Sequence, residues 1–158
     1  MGGQDYTSMT LRNYAKGKFD MKNPQKYVGK KTPTYRSSWE QTFMNFCDNH
    51  PAIKHWSSET ISIPYYNVVK QKKAMYIPDF FVLYEDAKGN TKAEVVEIKP
   101  TKETNLREAG KSVYNQAMAV MNQCKWQAAD KWCKDQGFIF RVITEKDLFH
   151  NPTTRKRK

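Results

Sequence analysis

Hydrophobic and polar positions change their period several times along the chain. Trp39, Phe43, Phe46 and Cys47 recur at helical spacing behind Ser37 and Ser38, either of which can cap a helix, and Pro51 closes that segment near Asn49. From Ile53 to Tyr65 the period shortens to two, with Thr60 and Ser62 alternating with Ile61 and Ile63, which predicts a half-buried strand. Met75 to Tyr84, with the run Ile77, Phe80, Phe81, Val82 and Leu83, predicts a second strand. Lys88-Gly89-Asn90 turns it into a third, Ala93 to Ile98, so that the two make a hairpin. Pro100 has no amide hydrogen for a sheet ladder, and the third strand should end at Lys99. Tyr114, Ala117, Met118, Met121, Lys125, Ala128 and Trp132 then return to helical spacing, with Gly137 as the stop and Phe138 to Ile143 as a last apolar strand. This order predicts a mixed α/β domain over residues 36–149, without internal repeats.

The ends differ from this core. Residues 1–35 carry Arg12, Lys16, Lys18, Lys22, Lys26, Lys30 and Lys31 against Asp5 and Asp20, with few aliphatics and no amphipathic period, which predicts a basic arm that docks at its spaced aromatics. Residues 150–158 end in a second basic run, Arg155 to Lys158, expected to act as a tail. Over all 158 residues, 27 Lys and Arg against 16 Asp and Glu leave a formal charge of +11, which favours a polyanionic partner, nucleic acid first. No apolar run reaches the roughly 20 residues of a membrane span, so no membrane is expected. The start MGGQDYTSMT lacks the apolar core of a signal peptide, and the expectation is a soluble protein that stays where it is made. Cys47, Cys124 and Cys133 form no Cys-x-x-Cys pair, and the three histidines have no metal-ligand or HNH-like spacing, which argues against disulfide scaffolds, zinc sites and a histidine base. No glycine-rich phosphate loop motivates ATP use.

Three acids stand out by position: Glu40 on the first helix, Asp79 on the second strand and Glu97 on the third, with Lys99 following. Antiparallel neighbours can bring Asp79 and Glu97 side by side, and alternation puts Glu97 and Lys99 on one face. Opposed carboxylates in an apolar hairpin need a compensating cation, either Lys99 or a metal. Magnesium suits such a pair, because it takes oxygen ligands, keeps several waters and uses only one or two protein carboxylates.

Pro78-Asp79 followed by Glu97-Ile98-Lys99, with Glu40 on a preceding helix, resembles the PD-(D/E)xK nuclease superfamily. Lys26-Tyr27, Gly29, Tyr35-Arg36-Ser37, Trp39-Glu40, Trp56, Ser58-Glu59-Thr60, Ile63-Pro64-Tyr65, Glu97-Ile98-Lys99-Pro100 and Lys125-Trp126, in this order, resemble the head-completion nucleases of T4-type tailed phages from about Gly17 to Leu148. The core is also similar to the N-terminal domain of the TnsA endonuclease. The resemblance implies a restriction-endonuclease-like fold, a central mixed sheet flanked by helices. It further implies a virion or assembly protein of the head and neck region, present in the host cytoplasm during assembly, that acts on the DNA-filled head at the portal before the tail joins. Carried over by position, Asp79 and Glu97 would bind Mg2+, with Mn2+ as the substitute ion; the Ile98 carbonyl would be a further ligand, Lys99 would orient the attacking water, and Glu40 would complete the acidic site. Bulky Ile77 and Phe80 beside Asp79 depart from the most familiar strand pattern.

Alternatives stand beside these roles. Ser37-Ser38-Trp39-Glu40 equally fits a capping box. Glu97 and Lys99 also fit an exposed pair along a strand. Glu59, Asn122 and Lys125 are secondary candidates, the last two three residues apart on the long helix, where an ordinary solvated face would also use them. Trp126 and Trp132 fit packing anchors better than stacking platforms. Lys70, Lys72, Lys73, Lys102 and Arg107 are expected to grip the backbone of double-stranded DNA. No base-reading element is visible, so cutting should be independent of sequence or dependent on DNA structure. The competing function is a structural neck or head-closure protein that keeps the fold and binds DNA and the portal without turnover.

Overall fold

A computed structural model describes residues 16–149; the predicted tail and the first part of the predicted arm lie outside them. Two short strands, β1 (Gly17–Lys18) and β2 (Thr34–Tyr35), pair antiparallel around a single 3-10 turn at Pro24–Lys26. Helix α1 (Ser38–Asn49) begins where the Ser37 hydroxyl accepts the Glu40 amide at 3.1 Å, the cap its sequence predicts. The central sheet holds β3 (Ile53–Ser58), β6 (Phe80–Glu85), β7 (Thr91–Ile98) and β8 (Ile139–Ile143) in the order β3-β6-β7-β8. The first two pairings are antiparallel and β7 with β8 is parallel, so the sheet is mixed. Between β3 and β6 the chain makes a separate two-stranded ribbon, β4 (Ile63–Asn67) with β5 (Lys72–Tyr76). After β7 come a 3-10 turn at Thr101–Glu103, the one-turn helix α2 (Leu106–Ala109) and the long helix α3 (Val113–Gln136); α4 (Glu145–Phe149) follows β8. Gly137 takes the left-handed conformation at φ 80° and its amide reaches Lys134, the predicted stop of α3.

The sheet separates two apolar layers. On one face Phe43, Met44 and Cys47 of α1 pack against Ile53, Trp56, Phe80, Val82 and Val96. On the other, Trp126 and Ala129 of α3 pack against Ile63 and Tyr76 of the ribbon, as the anchor reading of Trp126 expects.

Two predicted strands are each divided. The stretch 53–65 breaks after Ser58: Glu59 adopts φ 57°, and the Ser57 and Thr60 hydroxyls bond at 2.6 Å, so the alternation at Thr60 to Ser62 belongs to a connection. The stretch 75–84 breaks at Ile77-Pro78-Asp79, because Pro78 gives no amide hydrogen to continue the ladder. Asp79 therefore stands just ahead of β6 and not within it. The described part of the predicted arm contributes to the core at Phe19, 5 % exposed and edge-on to Trp56. Tyr27 packs on the same indole and the Val28 amide donates to the Trp56 carbonyl at 2.9 Å, covering the open edge of β3. Asp48 ties the segment down by accepting the Lys22 and Asn23 amides at 2.8 and 3.0 Å. Cys47 and Cys133 are free buried thiols whose pKa values burial pushes up, fitting the structural reading of the cysteines.

Candidate active site

The β6–β7 register sets Phe80 opposite Val96, so the residues just before and after them, Asp79 and Glu97, meet at the end of the pair. Asp79 Oδ2 accepts the Ile98 amide at 2.8 Å, which fixes that carboxylate against β7. Glu97, 6 % exposed, accepts the Tyr76 hydroxyl at Oε1 (2.8 Å), while its Oε2 lies 3.5 Å from Lys99 Nζ. These groups border an open cleft of about 380 Å³, whose other walls include Arg36, Glu40, Tyr65, Met75, Ile77 and Lys125.

Asp79 and Glu97 are carboxylates held close together in a buried corner. Burial first, then the neighbouring Glu97, raises the Asp79 pKa well above its ordinary value, and Glu40 pushes the same way. Glu97 is also raised by burial, against the pull of Lys99, the Tyr76 hydroxyl and Lys125. Burial and Glu97 likewise raise the Tyr76 phenol, which therefore stays a donor. Lys125 is half-buried with its ammonium 5.7 Å from the Tyr76 ring centroid, and burial and Lys99 lower its pKa. Such a pair of carboxylates with unspent oxygen lone pairs calls for a cation, and its donor chemistry fits a hard divalent ion completed by water. Among the described residues no group of three or more His, Cys, Asp or Glu is placed to hold a metal ion, and a cation bound here would have only Asp79 and Glu97 as buried carboxylate ligands.

Glu40 departs from the predicted capping box, because its carboxylate returns to the Arg36 amide and not to that of the N-cap residue Ser37. Its amide is capped by Ser37, its Oε1 accepts the Arg36 amide at 2.9 Å, and its side chain borders the cleft close enough to act on Asp79. Glu59 gives its amide to the Asp79 carbonyl at 3.0 Å, but its carboxylate turns to an ion pair with Arg36 and does not border the cleft. Asn122 and Lys125 part company: Asn122 is fully buried, its amide donating to the Glu103 carbonyl at 3.0 Å, and does not line the cleft, while Lys125 does. A three-residue step turns a helix short of a full circuit, enough to send one side chain inward. Lys70, Lys72 and Lys73 are exposed on the ribbon, Lys102 and Arg107 on the segment after β7. Tyr76 and Arg36 are the functional candidates that sequence reading passed over. A tyrosine three residues before Asp79, and a cation next to a helix cap, were the available signals.

Residues 50–145 match the family described as TnsA-like endonuclease N terminal. The chain is 37 % identical over 142 residues to the head completion nuclease of Enterobacteria phage T4, covering 84 % of this chain and 92 % of that protein.

Proposed function

The chain belongs to the family of TnsA-like endonuclease N-terminal domains and of the phage T4 head completion nuclease, and from that premise we propose that it is a magnesium-dependent DNA endonuclease of phage head completion. The observation that carries the reading is the convergence of Asp79, Glu97 and Lys99 in one cleft, where the buried Glu97 raises the pKa of Asp79.

Asp79 and Glu97 would hold the ion, with the Ile98 carbonyl as a further ligand, and Mn2+ would substitute for Mg2+. A divalent cation held there would supply Lewis-acid charge at the scissile phosphate and lower the pKa of bound water. The Ile98 amide and the Tyr76 hydroxyl fix the two carboxylates, so neither has to reorganise during the reaction. Lys99 orients the attacking water and adds fixed positive charge where the phosphate gains negative charge. Lys125 and Arg36, on the walls of the cleft, position the DNA backbone, and Glu40 completes the acidic site. Lys70, Lys72, Lys73, Lys102 and Arg107 extend the grip along double-stranded DNA. The protein acts on the DNA-filled head at the portal before tail attachment, in the virion head and neck region and in the host cytoplasm during assembly. Among the described residues no helix is long and apolar enough to cross a membrane.

The test incubates the chain and its Asp79→Ala variant with supercoiled and linear DNA in magnesium, manganese or chelator. Ion-dependent cutting that the variant loses is expected. Binding without cutting under every ion would replace the reading with a structural head-closure role on a silent nuclease fold.

A further inference from the structure

The β4–β5 ribbon has two unlike faces. Ile63 and Tyr76 point inward onto Trp126, whereas Pro64, Tyr66, Lys73 and Met75 alternate onto the outer face and are exposed, with exposed Val68 and Ile77 just past the strand ends. Tyr66 is 52 % exposed, Met75 58 % and Ile77 52 %, and Met75 and Ile77 also line the cleft, so the apolar face runs directly into it. The whole stretch from Thr60 to Pro78 contains no acid, while Lys70, Lys72 and Lys73 cluster at and beside the turn. The turn is built rather than loose: Asn67 Oδ1 accepts the Val69 and Lys70 amides, each at 3.0 Å, and Gln71 takes φ 54°.

Lysines alone would serve to hold phosphates. An aromatic and aliphatic face among them calls for a polyanion that also offers apolar surface, and in DNA that surface is the faces of the bases. Stacking hides those faces inside a duplex and leaves them open where strands separate. On the reading of the chain as a DNA nuclease, we infer that the outer face of the ribbon engages unstacked bases at a junction between duplex and single strand, with Tyr66 and Met75 as the contacts and the cleft beside them receiving the backbone.

The test measures binding of the full chain in chelator by fluorescence anisotropy, on a blunt duplex, the same duplex with one end splayed, and a single strand, across a salt series. Splayed DNA is expected to bind at least about tenfold tighter than blunt, a gap of the size one stacked base supplies. Tyr66→Ala/Met75→Ala should bring that ratio close to one without changing the salt slope. Lys70→Gln/Lys72→Gln/Lys73→Gln should instead weaken all three and lower the slope by roughly two to three. Equal binding of blunt and splayed DNA by the unaltered chain overturns the inference, as does equal weakening of both by the Tyr66/Met75 variant. A dimer in sedimentation that this variant dissolves also overturns it, by giving the face to a second copy. Adding magnesium to the same DNAs separates the two readings: cutting without a junction preference leaves the nuclease and removes the ribbon's role, while junction preference without cutting does the reverse.

Discussion

Glu94 and Glu97 lie on opposite faces of β7, each 6 % exposed, and each meets a tyrosine hydroxyl and a cation. Glu94 Oε2 accepts Tyr84 at 2.6 Å and Arg141 at 2.7 Å; Glu97 accepts Tyr76 at 2.8 Å and has Lys99 at 3.5 Å. Glu94 is one acid against one full guanidinium. Glu97 stands against a second buried carboxylate, Asp79, with Lys99 and Lys125 as the cations that act on it. Burial and hydrogen bonding, common to both, do not mark a site; a second buried carboxylate held against the first does.

The sharpest way to break the comparison is to remove chemistry from one face only. Asp79→Ala or Lys99→Ala should lower single-turnover cleavage by about 10³-fold, while Glu94→Gln leaves it within roughly threefold. Equal damage from Glu94→Gln would mean that the two faces do not differ in kind. The matched tyrosines come next. Tyr76→Phe should reduce kcat by about 10- to 100-fold with a smaller change in KM, since it frees the Glu97 carboxylate to move. Tyr84→Phe should cost about 1 kcal/mol in denaturant unfolding and leave kcat alone.

Stability against pH sharpens the contrast further. Raised pKa values mean that the folded chain holds protons at Asp79 and Glu97 more tightly than the unfolded chain does. Their contribution to stability is therefore fully present below the ordinary carboxylate range and is lost as pH rises through the raised values. At neutral pH and without divalent ions, Asp79→Asn should stabilise the fold by about 1 kcal/mol, a rise of roughly 2–4 °C in Tm. Magnesium should raise the Tm of the parent chain and not of this variant. A destabilised Asp79→Asn would show that the charge at this position is balanced after all. The smallest effect belongs to Arg141→Ala, about 1 kcal/mol or less, because water can replace a guanidinium whose side chain is 56 % exposed.

Much of this was legible from local pattern. The cap at Ser37, the β6–β7 hairpin, the Gly137 stop and the meeting of Asp79 with Glu97 follow from residue chemistry and a two-residue period. The breaks at Glu59 and at Pro78 were hidden because apolar alternation continues across both. Phe19 was legible only as one of the arm's spaced aromatics, because a single aromatic in a basic segment has no period to show that it enters the core. Tyr76 was obscured by the same misplaced strand: only a ribbon that leaves the sheet and returns brings its hydroxyl over Glu97.

The ribbon's attachment bears on how such a protein changes over generations. Its base is constrained, since Ile63 and Tyr76 serve the packing on α3 and the setting of Glu97. Its turn, from Val68 to Gln71, is exposed and meets neither demand. Insertions and charge changes there can accumulate while the cleft is inherited intact, so the strength of the grip on DNA can diverge among descendants faster than the chemistry it serves.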